Sequence, residues 1–232
     1  MTCFVPTREY HSMDLASAID EVIQRRRTRK YFAPLDQPVK VPDGFTQRVA
    51  EAVDMAGWAP FHYPAPEAQR QGVLNAWVPW RCYLLDQANS LQLARHLISH
   101  DEQVDEASGV VRMLAAAGAL VLVTWLPEQG DKPVIKQRNE EHLAATAAAI
   151  QNLLLAGEAR ELQTYWSSGG ALGGDTCFEY CGIPAEQRLL GAIFMFAPET
   201  ADDCKVCEGK LAARRGAPET WRRWVDLAAK GS

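Results

Sequence analysis

Two hydrophobic rhythms alternate along this chain. Leu15, Ile19, Val22 and Ile23 recur at helical spacing behind Asp14, a plausible N-cap. Phe45, Val49, Ala52, Val53 and Ala56 do the same and predict a helix over residues 44–57 with that face buried. Residues 81–85 read as a strand and residues 88–98 as a short helix turning Leu91, Ala94, Leu97 and Ile98 inward. Residues 110–117 fit another helix. Ala119 to Thr124 form an unbroken β-favouring run, the pattern of a strand buried on both faces. The longest helical pattern covers residues 134–157, where Leu143, Ile150, Leu153 and Leu154 stand among alanines. Small side chains let neighbouring helices approach closely, so this segment is expected to be central. Residues 162–168 and 188–196 read as further strands, separated by a glycine-rich turn at 169–174 and a short helix. Residues 218–230 are patterned as a last helix anchored by Trp221, Trp224, Val225 and Leu227.

Prolines and glycines set the boundaries. Pro34 and Pro38 stop the first helical region, and residues 36–42 read as an extended connector. Pro60, Pro64, Pro66 and Gly72 make residues 58–78 irregular, and loops of this length in compact chains are commonly functional. No repeat or low-complexity segment breaks the chain. The expectation is a single α+β domain over residues 1–232, a modest sheet covered by helices. Residues 1–12 would form an N-terminal arm and residues 200–232 a C-terminal extension that leaves the core.

Composition adds limits. The chain has 232 residues, 47% hydrophobic and 23% charged, enough to bury a sizeable core. A net charge of -5 argues against a general nucleic-acid surface. The most apolar stretch, residues 115–126, is too short to span a bilayer, so no membrane partner is expected. The first ten residues lack the apolar run of a signal peptide. A cytoplasmic location is therefore expected, with the six cysteines as reduced thiols.

Against this acidic background, residues 25–32 read Arg-Arg-Arg-Thr-Arg-Lys-Tyr-Phe. Two readings fit. Cations at a helix C-terminus complement its dipole. A compact nest of guanidinium groups with a threonine hydroxyl also suits a phosphate. Other constellations are open to similar alternatives. Cys177 and Cys181 share one helix face, and Cys204 and Cys207 form a second close pair. Four such thiols can hold zinc or an iron–sulfur cluster, act as a redox dithiol, or simply pack. His96 and His100 are spaced as a metal pair, but with no carboxylate at matching spacing a solvated face is expected.

The basic stretch, the strand-turn Tyr165-Trp166-Ser167-Ser168-Gly169-Gly170 and the late pair Arg214-Arg215 occur in an order that resembles the FMN-dependent nitroreductase family. Further matches are Ala59-Pro60-Phe61 for that family's Ala-Pro-Ser, Val78-Pro79-Trp80 for Gln-Pro-Trp, and the run Gln151 to Ala156 in the long helix. The resemblance implies a nitroreductase-like α+β fold with a central, mostly antiparallel sheet surrounded by helices. It also implies a homodimer with FMN at the subunit boundary. Arg26, Arg27, Thr28 and Lys30 would hold the FMN phosphate with Arg214 or Arg215, and Arg29 would point to solvent. Pro60 would contact the cofactor, and Ser168, Gly169 and Gly170 would lie along the flavin ring. Trp58 and Trp166 would stand near it. Electrons would pass from NAD(P)H through the flavin to a nitroaromatic, quinone or related small acceptor by a ping-pong scheme. No metal is implied.

The sequence departs from the family at residues 61–78. Phe61-His62-Tyr63 replaces small polar residues, and a Pro- and Gln-rich segment precedes Pro79. His62 and Tyr63 are candidate proton donors there. Two alternatives accompany this departure: a specialised flavin-dependent oxidase or dehydrogenase acting on one metabolite, and a non-catalytic flavin- or metal-binding module using Cys177, Cys181, Cys204 and Cys207.

Overall fold

The computed structural model describes residues 14–225. Six helices and six strands follow one another as α1 (Leu15–Arg25), β1 (Arg29–Phe32), α2 (Phe45–Ala56), β2 (Trp80–Asp86), α3 (Gln87–His100), α4 (Gly109–Ala116), β3 (Ala119–Trp125), α5 (Pro133–Glu158), β4 (Gln163–Ser167), α6 (Asp175–Cys181), β5 (Arg188–Phe196) and β6 (Lys205–Glu208). The main sheet has the order β2-β3-β5-β4, and every pairing within it is antiparallel. The chain is thus α+β with a central antiparallel sheet, as expected.

The alternation of side chains across β3 and β5 divides the core into two layers. Leu120, Leu122, Phe194 and Phe196 face one side, where α3, α4 and α6 contribute Leu93, Leu97, Leu114 and Cys177. Val121, Val123, Ile193 and Met195 face the other, against Phe45 and Val49 of α2 and Ile150 and Leu153 of α5. Helices on both faces explain why β3 reads as a continuous apolar run and not as an alternating one. His142 of α5 is fully buried, and its Nδ1 is 2.9 Å from the Leu126 carbonyl oxygen, which ties the helix to the end of β3.

Three expectations are corrected: the helix-end reading of the basic stretch, the course of the extension and the last helix. The basic stretch is not a helix end throughout. Asp14 caps α1, accepting from the Ala16 amide, and the helix stops at Arg25. Arg29–Phe32 then forms β1, which pairs antiparallel with β6 so that Tyr31 stands opposite Val206. The extension therefore returns to the body at residues 205–208. A parallel bridge between Thr28 and Thr164 joins this small sheet to the end of the large one.

The apolar face of α1 is not buried within the chain: Leu15, Ile19 and Ile23 are all exposed. The last helix is also absent over the described part of residues 218–230. Pro218–Thr220 is a single 3₁₀ turn, and Trp221, Trp224 and Val225 are exposed. A tail lacking a surface to pack on gains nothing from amphipathic spacing. Leu227 and the proposed arm at residues 1–12 lie outside the described residues. Residues 58–78 are irregular as expected, apart from a 3₁₀ turn at Glu67–Gln69. Among the described residues, no helix is long and apolar enough to cross a membrane.

Candidate functional site

A cleft of about 580 Å³ opens where the β1–β6 pair meets the edge strand β4. Its floor comes from the local geometry of that junction. Gly209 donates its amide to the Thr28 carbonyl at 2.8 Å, and a Cβ at Gly209 would stand 2.9 Å from the Thr28 Cβ. Only glycine lets the two segments approach so closely.

Arg26, Arg27, Thr28 and Lys30 line one wall, and Lys210 and Arg215 arrive from the extension. Tyr165 and Trp166 of β4 supply an aromatic end. Lys30 Nζ sits 4.4 Å from the Tyr165 ring centroid, and Trp166 Nε1 donates to the Leu190 carbonyl at 3.2 Å, so both rings are held in place.

The site carries an excess of positive charge. Burial, and next the nearby Arg215, hold the Arg26 guanidinium below its ordinary value. Glu158, the acid that acts on Arg26, is already paired with Arg25 at 3.4 Å. Glu208, which also lines the cleft, is held by Arg29 at 2.9 Å. Crowded cations whose neighbouring carboxylates are already engaged favour an anionic ligand. Arg29 does not point freely to solvent as expected. Its guanidinium bonds both Glu208 and the Gln163 side chain, because the strand geometry of β1 turns it along the sheet edge.

The structure thus gathers Arg26, Arg27, Thr28, Lys30 and Arg215. Arg214 does not line the cleft: it precedes Arg215 at the end of a 3₁₀ turn, where successive side chains diverge. Ser168, Gly169 and Gly170 also lie off its lining, because the chain turns after β4. Gly169 makes that turn at φ +110°, packed against Leu189. The sequence reading missed Lys210, whose signal was the cluster of cations in residues 205–215. Trp58, expected beside the cofactor, is 81% exposed and lines neither this cleft nor the one beside α5.

Pro60 and His62 belong to a second cavity of about 400 Å³ beside α5. His62 Nδ1 lies 3.2 Å from Glu141 Oε2, and Tyr63 sits under the Arg138 guanidinium at 5.4 Å.

The paired cysteines do not assemble one site. Cys177 and Cys181 meet on α6, where the hydrogen bond between the thiols raises Cys177 and lowers Cys181 from their ordinary values. Cys204 and Cys207 flank and enter β6. Among the described residues, no group of three or more His, Cys, Asp or Glu side chains is placed to hold a metal ion. At the α3 surface His96 stacks on His100 and on Tyr180, with centroid separations of 4.1 and 3.9 Å.

No family model matches the chain, and no curated protein matches it. Solved structures do. A nitroreductase-like family protein from Bacillus cereus superposes with a TM-score of 0.58 at 23% identity, covering 92% of this chain and 100% of that one. The FMN-dependent nitroreductase NfnB from Mycobacterium smegmatis, in complex with NADPH, gives 0.55 at 17% identity, covering 88% and 99%. A nitroreductase with bound FMN from Bacteroides fragilis gives 0.51 at 17% identity, covering 79% and 90%. At these identities the likeness is one of architecture, and on it the chain has the nitroreductase fold.

Proposed function

We propose that this single-domain chain is an FMN-dependent oxidoreductase that passes electrons from NAD(P)H to a small acceptor such as a nitroaromatic or a quinone. It works as a homodimer in the cytoplasm, where its thiols stay reduced. The observation that carries the reading is the convergence of Arg26 and Arg215, from opposite ends of the chain, on a cleft with an aromatic end. That combination fits a mononucleotide, which has an anionic tail and a planar ring. Arg26, Arg27, Lys30 and Arg215 would hold the phosphate as charged donors, with the Thr28 hydroxyl as a neutral one. Tyr165 and Trp166 would border the ring end. The flavin supplies the redox chemistry, and the protein supplies position, electrostatics and exclusion of water.

Two features of the neighbours support the cofactors: FMN bound in the Bacteroides fragilis protein and NADPH in the Mycobacterium smegmatis one. Pro60 and His62 lie outside the cationic cleft. In this reading they reach the flavin from a second copy of the chain, which is why the homodimer is part of the proposal.

The test is the absorption spectrum of the purified protein, followed by mass identification of what denaturation releases. Flavin bands and released FMN support the reading. A colourless chain that takes up no added FMN overturns it.

A further inference from the structure

The cavity beside α5 holds chemistry that the cationic cleft lacks. Its apolar lining is Pro60, Phe61 and the methyl groups of Ala144, Ala145 and Ala148, and its polar side chains are His62 and Glu141. Three alanines on one face of α5 leave a flat floor on which a planar ring can lie. Phe61 meets Trp80 edge-on at a centroid separation of 6.0 Å, anchoring the segment that carries His62.

We propose that His62 and Glu141 form an acid–base pair that exchanges a proton with a planar, oxygen-bearing acceptor in this cavity. The inference rests on the functional reading above and adds the route by which a proton accompanies the electrons. An ionised carboxylate can only accept a hydrogen bond, so His62 Nδ1, 3.2 Å from Glu141 Oε2, carries the hydrogen. Nε2 is then the ring nitrogen left to meet a ligand. This is how a carboxylate fixes a catalytic imidazole. His62 also faces Tyr63, at a ring separation of 5.3 Å, and Arg138 packs on Tyr63 while paired with Glu128 at 3.3 Å. Arg138 is thereby engaged elsewhere, and Glu141 is the charged side chain bonded to the imidazole.

The balance for a quinone is as follows. Bound FMN would supply the redox chemistry, taking a hydride equivalent from NAD(P)H and returning it to the quinone. The Nε2–H bond of the His62 imidazolium breaks, and its proton forms an O–H bond on the reduced quinone. The neutral imidazole regains a proton from solvent, to which the His62 side chain is 78% open.

Two measurements on the full-length chain test this. The first is the His62 tautomer by nitrogen-15 NMR of the protein without added ligand. The wild type is expected as Nδ1–H when neutral, and Glu141→Ala is expected to relax toward the Nε2–H form. The second is stopped-flow reoxidation of FMN-loaded, NADPH-reduced protein by benzoquinone. Both His62→Gln and Glu141→Ala are expected to slow it about 100-fold, with an enlarged solvent isotope effect. An Nε2–H tautomer in the wild type overturns the pair. Reoxidation of His62→Gln at the wild-type rate overturns its catalytic use while leaving the flavin reading intact. A wild type that takes up no FMN overturns the functional reading, and this role with it, before either variant is needed.

Discussion

The Arg81 guanidinium donates to the Gln69 carbonyl at 2.8 Å and so clasps the irregular loop to the first strand of the main sheet. The same side chain reaches the carbonyls of Ala76 at 3.1 Å, Val78 at 2.9 Å and Trp80 at 2.7 Å. Arg81 is buried, and burial holds it below its ordinary guanidinium value. Among the described residues its hydrogen-bond partners are all backbone carbonyls, so the side chain serves as a scaffold for residues 69–80. Arg81→Met should destabilise the chain by about 3 kcal/mol, because it removes the charged donor from four backbone carbonyls at once. Arg81→Lys should recover part of that loss, since an ammonium cannot fork to four acceptors. Urea unfolding and limited proteolysis in the loop check both, and an Arg81→Met protein as stable as the wild type would refute the scaffold.

The cationic cleft makes a ligand-specific prediction. Arg26→Ala with Arg27→Ala should weaken FMN binding by about 100-fold or more, as expected for the loss of two charge-assisted contacts. Riboflavin, which lacks the phosphate, should bind both proteins alike. Arg215→Ala should reproduce part of the loss from the far end of the chain, whereas Arg214→Ala should have little effect. Quenching of flavin fluorescence gives all four comparisons. A double variant with wild-type FMN affinity would move the phosphate elsewhere.

Gly169 and Gly170 both lie at positive φ, yet they should respond differently to alanine. At Gly169 the backbone sits at φ +110°, and an added Cβ would stand 2.5 Å from Leu189 Cδ2. At Gly170 φ is +56° and the space is open. Gly169→Ala should therefore cost about 2–3 kcal/mol, and Gly170→Ala about 1 kcal/mol. Thermal unfolding of the two variants separates steric conflict from simple backbone strain, and equal losses would count against the Leu189 contact.

Alkaline stability follows from the core. Cys82 packs on the α2–α5 side of the sheet, and burial pushes its thiol up from 9.0 to about 12. Burial also raises Tyr31 and Tyr83. In the unfolded chain the thiol ionises at lower pH than in the folded one, so above that point the folded state holds the extra proton. The contribution to stability is then complete below about pH 9 and is lost as the pH rises toward about 12. Cys82→Ala should flatten part of this fall, with the tyrosines accounting for the remainder. Urea midpoints measured across that window decide it.

Much of the architecture was legible because it is local or strongly patterned. The run through β3 could be satisfied only by burial on two faces, and Phe45, Val49, Ala52 and Ala56 were correctly placed inside. Strands β1 and β6 were not legible. Each has four residues, and their pairing joins Arg29 to Glu208, a contact for which no local signal exists. The cationic composition of residues 25–30 also concealed an extended backbone. The expected last helix failed for a related reason. The spacing of Trp221, Trp224 and Val225 describes a face, but a face alone does not supply the surface to cover it. At the site, residue types announced the cations, whereas only the folded chain shows Arg215 near Arg26 and Arg214 off the cleft lining. The pairing of His62 with Glu141 spans a loop and a helix and was equally invisible beforehand.

One consequence follows from the short β1–β6 ladder. Arg215 and Lys210 reach the cleft only while the extension stays zipped to β1. Occupancy of the cleft and attachment of the tail must then reinforce each other by the same factor, in either direction. A protease, a tether or a partner that peels residues 205–208 away would discharge the ligand without touching it, and a saturating ligand would in turn shield the tail from all three.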